Sequence, residues 1–122
     1  MILVDTSIWI DHLHRSEPHL VELLERDEVV THPMVRGELA LGSIRDRAEF
    51  LDLLSNLPIV ARAADGEVLA FIEANALWSR GLSLVDAHLL AGAKLSTGTR
   101  LWTRDSRLRK AATALDLAYP TR

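Results

Sequence analysis

Short apolar runs alternate along the chain with longer stretches in which apolar residues return every three or four positions. Residues 1–4 form an uninterrupted apolar run, as expected of a strand buried on both faces. Thr6 or Ser7 then caps a helix that carries Trp9, Ile10 and Leu13. Pro18 opens a second helical pattern with Leu20, Val21, Leu23 and Leu24 on one face, and residues 28–31 read as a second strand. Pro33 starts the helix that bears Glu38, and Gly42 stops it. Ile44, Ala48, Leu51 and Leu54 mark a fourth helix, followed by a short strand at residues 58–61. Val68, Leu69, Ile72 and Ala76 give a fifth helix ending near Gly81. A sixth begins at Ser83, turns Leu84, Ala87, Ala91 and Leu95 inward, and closes at Gly98. Residues 99–103 form a strand, 107–115 a basic helix and 117–119 a short last strand.

Strands alternating with helices in this way predict an α/β fold: a mainly parallel sheet of about five strands, covered by helices on both faces. With 122 residues the chain forms one domain, 1–122, with a sizeable core and no room for a second. There are no repeats, low-complexity segments or linkers. The absence of cysteine excludes disulfides, thiolate zinc and a cysteine nucleophile. No apolar stretch is long enough for a membrane span, and the opening ILVD is unlike a signal peptide, so a cytoplasmic location is expected.

Four acids occupy similar junctions, each beside an apolar run and a helix start: Asp5, Glu38, Asp86 and Asp105. In an open parallel sheet, ligands bind outside the carboxyl ends of the strands. Three of the acids fall there, and Glu38 reaches the same edge from the helix after the second strand. Two like charges about 4 Å apart repel by about 4 kcal/mol at an effective dielectric of 20. A divalent cation is the usual compensation, and oxygen ligands alone favour Mg²⁺ or Mn²⁺.

Each acid also has a plainer reading. Asp5 and Asp105 are credible helix caps, and Ser83 with Asp86 is close to a capping box. Glu38 has the weakest alternative, a wet position between Gly37 and an apolar run. Ser7 and Thr103 lie two residues from Asp5 and Asp105, where their hydroxyls either hold a metal-bound water or serve as local caps. The five histidines form no ligand set: His12 and His14 are too close to share a helix face, His19 and His32 stand alone, and His88 is structural.

The net charge of −3 changes meaning if these four acids are neutralised, because 13 other acidic residues then face 14 basic ones. Arg100, Arg104, Arg107, Arg109 and Lys110 cluster near the fourth acid, a candidate phosphate-binding rim in which Arg104 and Arg107 stand nearest that acid. Trp9, Ile10, Leu13, Leu20, Val21 and Leu24 supply more apolar bulk than one side of a small sheet requires, the mark of a partner surface.

At these residues the chain resembles the PIN-domain ribonucleases, and more closely the VapC-type toxins of bacterial toxin–antitoxin pairs. The resemblance runs over essentially the whole chain. It is carried by MILVDTSIWIDHL, RGELALG, LVDAHLLA and LWTRDSRL in that order. It implies a three-layer α/β/α sandwich and an acidic quartet of Asp5, Glu38, Asp86 and Asp105. It further implies Mg²⁺- or Mn²⁺-dependent hydrolysis of RNA to 5′-phosphate and 3′-hydroxyl ends, homodimerisation, and inhibition by a VapB-like antitoxin. Many relatives carry a further acid two residues past the fourth. Here Arg107 stands there, which argues against a fully occupied second metal site and offers a phosphate contact instead.

Rival classes fit less well. A haloacid-dehalogenase-type phosphatase needs a second Asp where Ser7 stands, and a receiver domain needs an Asp where Arg62 follows the third strand. The non-enzymatic alternative is a PIN-like adaptor whose acids are all helix caps.

Overall fold

The computed structural model describes residues 1–120. Its centre is β1 (Ile2–Val4), three consecutive buried residues flanked in parallel by β2 (Val29–Val30) and β3 (Arg100–Trp102). The register pairs Leu3 with Val30 on one side and with Leu101 on the other. The two remaining predicted strands contract to single parallel bridges, Thr31 with Ile59 and Leu101 with Ala118. Each bridge is held by two backbone bonds: Thr31 N–H to Pro58 O and Val60 N–H to Thr31 O, both 2.9 Å, then Leu101 N–H to Leu117 O at 2.7 Å and Tyr119 N–H to Leu101 O at 2.8 Å. Pro58 and Pro120 adjoin these outer lanes and lack the N–H that a longer ladder would need.

Seven helices complete the described residues: α1 (Thr6–His14), α2 (Pro18–Glu25), α3 (Pro33–Ala40), α4 (Arg47–Ser55), α5 (Asp65–Ala74), α6 (Leu84–Leu95) and α7 (Ser106–Ala114). The lanes run Ile59, β2, β1, β3, Ala118, so the chain steps outward from β1 in one direction and then, through β3, in the other. Right-handed crossovers assign helices before and after that reversal to opposite faces, which yields the α/β layering. The reversal lies between β1 and β3, and the crevice outside their carboxyl ends is where such sheets bind ligands.

The core corrects the expected partner surface. Trp9 is buried, with its ring edge-on to Phe50 at a centroid distance of 5.8 Å, and Leu20 is fully enclosed. Both belong to the core. Ile10 and Leu13, one turn of the same helix away from burial, remain exposed.

His32 does not stand alone either. It is buried as the N-cap of α3, its Nδ1 accepting the Met34 N–H at 3.0 Å, which leaves the ring proton on Nε2 without a partner among the described residues. His88 of α6 lies 6.0 Å away between ring centroids, itself 3.8 Å from Asp65. Burial first, then the charges of His88 and Arg62, lower the His32 pKa from 6.5 to about 4. The unfolded chain therefore binds a proton that the folded chain refuses, and stability falls as pH drops from 6.5 towards 4, by up to about 3 kcal/mol. Thermal melts should show the wild type losing more stability between pH 7 and 5 than His32→Asn, which keeps a capping acceptor but cannot titrate. Parallel pH profiles for the two proteins would remove His32 as the cause.

Candidate metal centre

Asp5 follows β1 directly and extends its pairing, donating its backbone N–H to Trp102 O at 2.9 Å. Its backbone occupies the N-cap position of α1, yet its side chain caps nothing. The carboxylate is buried instead, with Oδ2 accepting the Thr103 hydroxyl at 2.6 Å and the Ser7 hydroxyl at 2.9 Å. Those hydroxyls are in turn fixed by backbone: Arg104 N–H donates to Ser7 Oγ at 3.1 Å, and Asp105 N–H to Thr103 Oγ1 at 3.0 Å. Ser7 and Thr103 thus orient Asp5.

Asp105 and Asp86 do cap helices. Asp105 Oδ1 accepts the N–H groups of Arg107 and Leu108 at 2.9 and 3.1 Å. Asp86 forms a reciprocal box with Ser83: Ser83 N–H to Asp86 Oδ2 at 2.9 Å, and Asp86 N–H to Ser83 Oγ at 3.1 Å. Burial raises the Asp86 pKa. The Ser83 hydrogen bonds oppose that rise, and the charges of Asp5 and Asp105 add to it. Asp5 and Asp105 therefore both come near enough to Asp86 to repel its charge. Glu38 is not among the charges acting on Asp86. It is tied to the group through Thr6, whose hydroxyl donates to Glu38 Oε1 at 2.6 Å. The sequence offered Thr6 only as a helix cap, although its place between Asp5 and Ser7 was the available signal for this second role.

As placed, no three histidine or carboxylate side chains among the described residues enclose a metal ion. The donor set nevertheless fits one. Asp5, Glu38, Asp86 and Asp105 each have one oxygen held by hydrogen bonds, while the other accepts none among the described residues. Four anchored carboxylates, each with a spare oxygen, suit a hard divalent cation.

The two candidate arginines differ sharply. Arg104 is clasped by Asp11, at 2.6 Å from Nη1, and by Glu17 on Nη2, and both pairings raise its pKa. Arg107 makes no ion pair among the described residues. Its side chain lies across Gly81 so closely that a Cβ there would stand 2.7 Å from Arg107 Cδ and 2.9 Å from Nη1. Gly81 also has φ of +74°, a conformation costly for other residues. Arg107 is thereby laid over the loop that leads into Ser83 and Asp86.

The PIN domain family profile matches residues 2–114 of this chain. The chain belongs to the PIN domain family. Among curated proteins, this PIN domain is 53% identical over 111 residues to Ribonuclease VapC32 from Mycobacterium tuberculosis, strain CDC 1551 / Oshkosh, covering 91% of this chain and 90% of that protein. The same figures hold for Ribonuclease VapC32 of strain ATCC 25618 / H37Rv. The resemblance seen in the four acidic segments is thus a VapC-type membership.

The raised Asp86 pKa gives a stability test of the cluster. Asp86→Asn keeps an acceptor for Ser83 N–H but removes a half-buried charge and its repulsion with Asp5 and Asp105. In chelator at neutral pH, the variant should melt about 2–4 °C above wild type. A raised carboxylate pKa favours the folded wild type as pH falls, so the gap should close in acid. A lower melting temperature for Asp86→Asn at neutral pH would mean that the three carboxylates are not in conflict.

Proposed function

We propose that this chain is the toxin of a toxin–antitoxin pair, a cytoplasmic Mg²⁺- or Mn²⁺-dependent endoribonuclease that leaves 5′-phosphate and 3′-hydroxyl ends. The observation that carries this reading is the set of four carboxylates, each fixed through one oxygen and open at the other. The similarity to Ribonuclease VapC32 supports RNA as the substrate. When bound by Asp5, Glu38, Asp86 and Asp105, directly or through water, a divalent cation supplies a lowered water pKa and offsets charge on the scissile phosphate.

The chain's own residues set the rest of the chemistry. Ser7 and Thr103 keep the Asp5 carboxylate in one orientation, so little reorganisation is needed when substrate arrives. The Ser83 box fixes Asp86 at the start of α6, and Thr6 draws Glu38 towards Asp5. Arg107, exposed over Gly81 and in no ion pair among the described residues, offers a contact to an RNA phosphate. Arg104 is less available because Asp11 and Glu17 already hold it. No histidine pairs with the four acids, so proton transfer by a histidine couple is not part of this reading. The adaptor alternative accounts for Asp86 and Asp105 as caps, but not for the buried Asp5 carboxylate that caps nothing.

The partners follow from surfaces. Ile10 and Leu13 of α1 line a cavity of about 500 Å³ with Leu39, Ile44 and Glu38, and Leu41 stands 91% exposed beside it. A VapB-like antitoxin segment seated here lies against one of the four carboxylates, so a basic side chain on it would compete for the site. Trp78 and Leu84, exposed together over a smaller apolar cavity, offer a surface for homodimerisation.

Asp5→Asn, nearly identical in volume, should abolish Mn²⁺-dependent RNA cleavage while circular dichroism and melting stay native. Near-normal cleavage by that variant would sink the nuclease assignment to this site. Leu13→Glu should weaken antitoxin binding at least about tenfold in calorimetry and leave cleavage intact. Unchanged affinity would move the antitoxin to another face.

A further inference from the structure

One built pocket takes no part in the function proposed above. It is a cavity of about 690 Å³ between α2, the end of β3, the outer lane at Ala118 and α7. The ring of His19 lies 10° from parallel to that of Tyr119, with centroids 5.7 Å apart, and shares a 2.6 Å hydrogen bond with its hydroxyl. The same ring meets Trp102 edge-on at 5.3 Å. The chain has one tyrosine and three tryptophans, and one of each stands here with a histidine whose side chain remains 41% exposed. Core packing does not require His19 at this place.

Glu22 lies 3.8 Å from the His19 ring and Glu17 lines the cavity, so the group left for a nucleotide phosphate is an arginine. Arg109, exposed on α7, lines the cavity and makes no ion pair among the described residues. Arg104, pinned by Asp11 and Glu17, lines the same cavity. Trp102, Thr103, Arg104 and Asp105 are consecutive, so even a fully extended chain puts the aromatic wall within about 11 Å of Asp105. Proteins that hold single strands pair aromatic platforms for the bases with cations for the backbone. We propose that this pocket is a nucleotide subsite, taking one unpaired base of single-stranded RNA on His19 and Tyr119 with a neighbouring phosphate on Arg109. The inference rests on the nuclease reading for its substrate class and adds where the strand goes on leaving the carboxylates.

The test uses a short fluorescein-labelled single-stranded RNA and a series with one abasic replacement at each position in turn. Binding is measured by anisotropy to the full chain carrying Asp5→Asn, and cleavage with Mn²⁺ is measured on the otherwise wild-type chain. One abasic position should weaken binding roughly tenfold, and His19→Ala should erase that position's effect. His19→Phe, which retains an aromatic ring, should restore it and so exclude misfolding as the cause. Arg109→Ala should weaken all members equally and reduce the salt dependence by about one counterion. Identical abasic profiles with and without His19 overturn the proposal, even if the RNA is cleaved normally. A profile that depends on His19 in a protein that cleaves nothing keeps the subsite and removes the nuclease reading. Loss of antitoxin affinity in His19→Ala with an unchanged RNA profile would assign the pocket to the protein partner and also overturn it.

Discussion

The rest of the site depends on the burial of the Asp5 carboxylate at the carboxyl end of the central strand. Burying an unpaired carboxylate is expensive, and the chain offsets that cost with two hydroxyl donors rather than a cation of its own. One of those donors, Thr103, lies 98 residues away in sequence and reaches Asp5 because β3 pairs with β1. The bond from Asp5 N–H to Trp102 O aligns the two strand ends, so sheet register and carboxylate orientation are one constraint. Had the register slipped by one residue, the Thr103 side chain would point to the opposite face.

Two further acids are arranged around this one by a different device. Asp86 and Asp105 each hold helix N–H groups, so the caps that start α6 and α7 also bring negative charge towards Asp5. The cap reading and the ligand reading are therefore compatible for these two: one oxygen serves the helix and the other is open. This explains why sequence reasoning found both readings credible for the same residues. A strictly structural cluster would gain nothing by placing Asp5 and Asp105 near Asp86, where their charges add to the burial that raises its pKa.

Much of the architecture was legible in the sequence because its signals are local. Pro18 and Pro33 start helices, Ser83 caps α6, and apolar periodicity marks α1, α2, α4, α5 and α6. The outer strands were overextended because an apolar run beside a proline does not reveal how few partners it will find. Long-range matters were the illegible ones. Nothing near Trp9 says that Phe50 will cover it, so a core residue looked like an interface residue. Nothing near Arg104 says that Asp11 and Glu17 will claim it, and His32 gives no hint of His88. The acids themselves were visible, whereas the hydroxyl relay through Ser7 and Thr103 needed the fold.

The one-residue outer lanes also decide how this molecule can be approached by other chains. An exposed strand edge is a template on which an extended segment adds itself through main-chain hydrogen bonds. Among the described residues each outer lane holds a single bridge next to Pro58 or Pro120, a short template for a foreign strand. Recognition is pushed onto side-chain cavities between helices, where fit depends on the identity of the incoming residues. Such an arrangement favours discrimination among similar partners over generic adhesion, and it lowers the tendency of copies to fuse edge to edge when the protein accumulates.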